Sequence, residues 1–215
     1  MKRSGILLAC YFLPALVMAA EQNDPYFYID AKQSQAVITV YSGGSLAKLG
    51  HDHVIASHDM QGVVIDGDAG QQEAGICIPL ALLVVDEPAL RSEAHFKSQP
   101  SASDIAGTRE HMLDSVLEVK QFPDAKIHVS QLRLLQSTNY VTTATLTLHG
   151  VSKTIEVPVI LEKIGVNELK VTGEFSLKQT DYGMKPYSAL GGLLKVKDEV
   201  NLKFSIIAVR KAQDK

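Results

Sequence analysis

The sequence predicts an all-β protein: a closed antiparallel barrel of about eight strands with one or two short helices at a barrel mouth. Three observations predict it. Apolar and polar residues alternate with a period of two over most of the chain. The links between alternating runs are short and carry Gly or Asn, which joins antiparallel neighbours, because parallel strands need long crossovers. Each run is apolar on one face only, so the sheet must cover that face. About eight strands do this by closing on themselves, which also removes the exposed edges. A barrel of that size either fills with its own side chains or encloses one small ligand.

The first 20 residues read as an export signal. Lys2 and Arg3 give a basic start, Ile6 to Val17 is apolar apart from Pro14, and Val17-Met18-Ala19-Ala20 supplies the small residues of a cleavage site after Ala19 or Ala20. The apolar run is shorter than the roughly 20 residues of a membrane span. Leu7-Leu8-Ala9-Cys10 has the letters of a lipobox, but apolar residues continue past Cys10, too early for a lipidated cysteine. The expected mature chain is a single domain over residues 21–215. Losing Lys2 and Arg3 takes its formal charge from −3 to −5. No basic stripe appears, which argues against a nucleic-acid partner. Cys77 is then alone and forms no intrachain disulfide. In an apolar strand it reads as an inert thiol.

The strands follow in order. Ala36 to Tyr41, His53 to Asp66, Gly75 to Val85 and Lys126 to Gln136 are the early ones. From Val141 to His149, Ala144, Leu146 and Leu148 share a face opposite Thr143, Thr145 and Thr147. Ile155, Val157, Val159 and Leu161 share the next, then Leu169, Val171, Gly173, Phe175 and Leu177. Val200, Leu202, Phe204, Ile206 and Ala208 share the last. Between Pro100 and Pro123 the rhythm changes. Ser103 or Asp104 can cap a helix, and Ile105, Met112, Val116 and Val119 follow helical spacing, so one or two short helices are expected over Asp104 to Val119.

Four segments then carry a family resemblance. Arg109-Glu110-His111-Met112-Leu113-Asp114-Ser115 followed by Phe122-Pro123-Asp124-Ala125-Lys126-Ile127 resembles the central stretch of YceI-like proteins. Leu146-Thr147-Leu148-His149-Gly150-Val151-Ser152-Lys153 is similar to that family's hairpin. Thr180-Asp181-Tyr182-Gly183-Met184 resembles its Asp-Phe-Gly-Ile segment, and Val196 to Ile207 its last strand. The resemblance implies a periplasmic, lipocalin-like barrel that binds polyisoprenoid chains, such as quinones or polyprenyl phosphates. The chain departs from it at Leu49-Gly50-His51-Asp52-His53, where relatives carry an aromatic-rich stretch. The ligand's identity therefore does not follow from the resemblance. With 6% aromatic residues and no Trp, an aliphatic cavity is expected.

The expected ligand-binding residues are His51, His53, Arg109, His111, Tyr182, Met184 and Lys185. In an extended strand His51 and His53 point the same way, whereas His58, five residues from His53, points to the other face. With Asp52 they read either as a metal site or as a hydrogen-bonded pair near the pocket mouth. The metal reading is incomplete without His95 or His111 as a further ligand. Arg109 and His111 on the helical cover read as a head-group clamp, since Arg offers a fork of donors to a carbonyl or phosphate, or as a pin holding the helix to the rim. Tyr182 and Met184 can meet an apolar chain, and Lys185 an anionic head or simply solvent. Gly191-Gly192 is a turn, too short for a phosphate loop. No nucleophile or zinc motif occurs.

These residues predict a binding or carrier protein for an amphipathic isoprenoid-type lipid, with no catalytic residue, no metal and no cofactor beyond the bound lipid. A metalloprotein or metallohydrolase built on His51, His53 and a third ligand is the alternative. An accessory that docks to a membrane redox or envelope partner is another. Oligomeric state is left open.

Overall fold

The structure is a computed structural model that describes residues 25–67 and 72–210. The expected export signal and cleavage site lie outside them. Three of the eight barrel strands are each broken once. Strand β1 runs Tyr26–Ile29 and then, past a single turn at Ala31–Gln33, Gln35–Val40. Strand β2 runs His53–Ser57 and Gln61–Asp66, and β3 runs Gln72–Pro79 and Val84–Val85. The others are β4 (Asp124–Gln136), β5 (Asn139–Leu148), β6 (Val151–Ile164), β7 (Glu168–Lys178) and β8 (Glu199–Val209).

Every neighbouring pair is antiparallel, and the ring closes because β1 pairs with both β2 and β8. Tyr28 lies opposite Val63 on one side and Val209 on the other. The order around the wall is the order along the chain, so closure needs no crossover. The expected runs His53 to Asp66 and Gly75 to Val85 are each two pieces. Pro79 cannot donate to a ladder, and the chain leaves the sheet there for a turn at Leu80–Leu82. Tyr26–Ile29 is a strand that alternation did not reveal, because four residues after a proline offer too few periods.

One helix packs on the outer face of the wall, its Leu90 against Val54 and Ala56, and a second covers the mouth. Helix α1 (Pro88–Glu93) starts on a proline at its first position, where a missing N–H costs nothing. Helix α2 (Ala102–His111) opens with a capping box between Ser101 and Asp104 and runs on as a π-helical turn, Met112–Val116. The spacing of Ile105, Met112 and Val116 signalled this cover, although it starts two residues earlier than expected. Its buried residues Met112 and Leu113 pack on Leu80, Leu83 and Val85. A small sheet of Ser42–Gly43, Ser188–Ala189 and Leu194–Val196 completes the rim.

The inward faces are the ones that alternation assigned. Leu146, Ile155, Val171, Phe175, Val200 and Phe204 all border the barrel interior. Gly173 is the exception that shapes the wall. A Cβ there would sit 2.7 Å from the Phe204 ring and 2.8 Å from the Pro158 carbonyl oxygen, so its absence lets Phe204 lie flat across β7.

Candidate ligand-binding site

Two cavities run end to end. The first is the lumen, about 300 Å³ and walled by aliphatic side chains with Phe175 and Phe204. Among its few polar neighbours, Thr142 is spoken for, its hydroxyl donating to the Gln131 carbonyl at 2.9 Å. The second lies at the mouth, about 470 Å³, between α2 and the end of β1. Val40, Ile55, Met112, Val116 and Gln179 border both, so the two adjoin. Gln179 stands at the junction, its amide donating to the Lys197 carbonyl at 2.9 Å.

The mouth is polar because β2 begins there. His51 and His53 border the cavity, their rings edge to face at 6.3 Å. His53 Nδ1 lies 2.6 Å from Asp86 Oδ2. The Asp86 carboxylate is fully buried and also accepts from the Val54 amide (3.0 Å) and Arg91 (2.5 Å). Burial works to raise its pKa, but the bonds from His53, Val54 and Arg91 outweigh that and hold the carboxyl below the usual range. An ionised carboxylate only accepts, so Nδ1 of His53 carries the hydrogen, and Nε2 is left as the ring's other polar atom. Arg91 is spent inside the wall, donating also to the carbonyls of Asp52 (2.7 Å) and Ser98 (2.6 Å). Nδ1 of His51 is buried without a partner among the described residues, a polar atom aimed at nothing in the protein.

His111 borders the same cavity from α2, with its ring against Tyr187 at 5.1 Å. Asp104 borders it too, its carboxylate committed to the Ser101 amide and hydroxyl. The structure thus brings His51, His53 and His111 to one cavity and Met184 to the lumen wall. It leaves three expected residues outside both linings. Arg109 donates to the Leu83 and Ala81 carbonyls, 3.1 and 2.6 Å away, and so pins α2 to the rim. Tyr182 is buried in a cluster with Leu146 and Met184. Lys185 is exposed. His58 faces away and meets Glu87 at 2.8 Å. Among the described residues no three His, Cys, Asp or Glu side chains are grouped to hold a metal ion. Cys77, half-buried on β3, has its thiol pKa pushed up by burial and then by Asp124, which keeps it unreactive.

Asp86, Arg91 and Gln179 escaped the sequence reading, whereas Tyr187, read as part of a polar-aromatic loop with Tyr182 and Lys185, does border the mouth cavity. Asp86 and Arg91 had a signal, opposite charges five residues apart at a proline-started helix. The meeting of Asp86 with His53, 33 residues earlier, depends on the register of β2 against β3.

No curated protein sequence matches the chain. Solved structures match its fold. Burkholderia cenocepacia BcnA superposes with a TM-score of 0.64 at 17% identity, over 84% of this chain and 99% of its own. A polyisoprenoid-binding domain from Saccharophagus degradans, implicated in plant cell wall breakdown, gives 0.61 at 18%, over 87% and 99%. The Campylobacter jejuni YCEI protein gives 0.52 at 17%, over 74% and 85%. The family model of the YceI-like domain matches residues 28–208. With the closed ring, the apolar lumen and that match across nearly all the described residues, the chain belongs to the YceI-like family.

Proposed function

We propose that this chain is an exported, periplasmic binding protein that carries one amphipathic isoprenoid-type lipid and acts by holding it rather than by transforming it. The prenyl chain lies in the lumen and the head, a quinone ring or a phosphate, sits among His51, His53 and His111. One observation carries this reading: an apolar tube adjoins a polar chamber lined by His51, His53 and His111. An apolar chain entering a preformed tube gains roughly 25 cal/mol per Å² removed from water. The chamber fixes the head with a few polar atoms, the usual division of labour in small-molecule sites. The likeness to the polyisoprenoid-binding domain supports the same reading.

The test is organic extraction of protein purified from the periplasm of an expressing cell, followed by mass spectrometry. A prenyl species near one per chain is expected. An extract free of isoprenoid, from protein that also refuses added polyprenyl lipid, overturns the proposal. Recovery of the protein in the cytoplasm with residues 1–20 intact overturns the export half alone.

A further inference from the structure

The rim beside the chamber differs from the rest of the molecule. Segments 41–50 and 185–197 together hold four lysines (Lys48, Lys185, Lys195 and Lys197) and no Asp or Glu, in a chain whose formal charge is −3. Everything outside them therefore sums to −7. The fold joins the two segments into one flap. Ser42–Gly43 pairs with Leu194–Val196, which pairs with Ser188–Ala189. The amide of Leu46 donates to the Leu193 carbonyl at 2.9 Å, and that of Lys197 to Tyr41 at 2.8 Å. Asp52 secures the flap to the start of β2 by accepting from the Ser42 amide and hydroxyl, at 2.8 and 3.0 Å.

The flap turns Leu194 and Val196 to the chamber and leaves three other leucines exposed, of which Leu49 also borders the chamber. Leu49 is 69% exposed, Leu190 63% and Leu193 49%. A scattered exposed leucine needs no explanation, but three on one small flap do. All four lysines are exposed, and among the described residues none is within ion-pair distance of a carboxylate. Lys197 lies over the Tyr41 ring at 5.4 Å.

We propose that this flap docks the barrel mouth on an anionic bilayer surface. Leucines enter the head-group boundary while lysines meet lipid phosphates, the combination by which amphipathic surfaces bind membranes without spanning them. The proposal rests on the lipid-carrier reading for its purpose, since the chamber beneath the flap is then where a bilayer lipid enters and leaves. Its physical claim stands on charge and exposure alone. Docking is peripheral, and no helix of the described residues is long and apolar enough to cross a membrane.

The experiment is co-sedimentation of the purified chain with phosphatidylethanolamine vesicles, with and without phosphatidylglycerol. Three proteins are compared: the natural chain, Lys48→Gln/Lys185→Gln/Lys197→Gln, and Leu190→Ser/Leu193→Ser. These five residues lie outside both cavity linings and are exposed, and matching melting curves confirm folding. Binding is expected only with phosphatidylglycerol present and is expected to weaken as salt rises. Each lysine near an anionic surface contributes about fivefold, so the triple variant binds about a hundredfold more weakly. The leucine variant loses binding at high salt first. Equal binding to both vesicle types, no binding at all, or binding unchanged in the lysine variant each overturns the proposal.

Extraction of the same preparations separates the two ideas. A chain that holds isoprenoid but ignores vesicles disproves the docking face and leaves the carrier standing. A chain that binds anionic vesicles through the flap but holds no isoprenoid does the reverse.

Discussion

Asp86 is the side chain on which the mouth depends. It is buried, it adopts a left-handed backbone (φ 58°), and it joins β2 to α1 by accepting from His53, Val54 and Arg91. Replacing it by asparagine leaves Arg91 buried without its counter-charge, which costs about 3–5 kcal/mol; urea unfolding at pH 7 measures this. Its pH dependence has a definite sign. The native carboxyl titrates below its ordinary 3.8, so its contribution is complete above that pH and is lost as pH falls through the native value. The natural and Asp86→Asn curves therefore converge only below about pH 4. His53 answers a different question. If the head sits in the chamber as proposed, His53→Ala removes a polar contact with it, so affinity for a fluorescent prenyl analogue falls about tenfold, the equivalent of roughly 1.4 kcal/mol. Unchanged affinity means the head does not reach the chamber. At this scale the sequence was half legible. Two histidines at positions of equal parity announce a shared direction, whereas the aspartate that orients one of them comes from a distant turn.

Helix α2 and its π-helical turn form the element between the two cavities. Met112 and Val116 border both, so a ligand spanning lumen and chamber would lie against this turn. Little apolar surface ties the helix itself down, since none of its ten residues is buried before Met112. The two bonds from Arg109 to the Leu83 and Ala81 carbonyls therefore hold it disproportionately. Arg109→Ala removes them at a cost of about 1 kcal/mol, a drop of about 2–4 °C in melting temperature. Release of a bound prenyl analogue, followed by stopped flow, becomes several times faster. An unchanged release rate shows that the turn is not the gate. The sequence offered two roles for Arg109, and spacing could not choose between them. The carbonyls it serves belong to a turn that Pro79 introduces, in a stretch that alternation reads as continuous strand.

The barrel as a whole was the most legible part, because a period of two needs no tertiary information to assign an inward face. Leu146, Val157, Val171 and Val200 face the lumen as their parity requires. The flap was opaque, since irregular loops with glycines at positive φ, such as Gly44 and Gly191, carry no periodic signal. Cys77 is the lone free thiol among the described residues, so no cross-link supports the wall. A ligand that fills the lumen then supplies stability directly. At a hundredfold excess over its dissociation constant it adds about 2.7 kcal/mol, so stripping the lipid lowers the melting temperature by about 5–10 °C. Scanning calorimetry before and after extraction checks this, and equal curves mean that the protein as purified was empty.

The breaks in β1, β2 and β3 fall at one height. Ala36 pairs with Ser57 just above the gap and Tyr28 with Val63 just below it, while Val85 meets Ile55 across the next strand. Beside them the Ser34 hydroxyl stands in for a missing ladder bond, linking to both the amide and the carbonyl of Ile207 at 3.0 and 3.3 Å. Three adjoining staves jointed at the same level give the cask a side seam. Hydrogen exchange at residues 30–34, 58–60 and 80–83 should outpace that of the unbroken staves from 143 to 160. Faster exchange there would mark the seam, rather than the helical cover, as the part of the wall that opens first on heating.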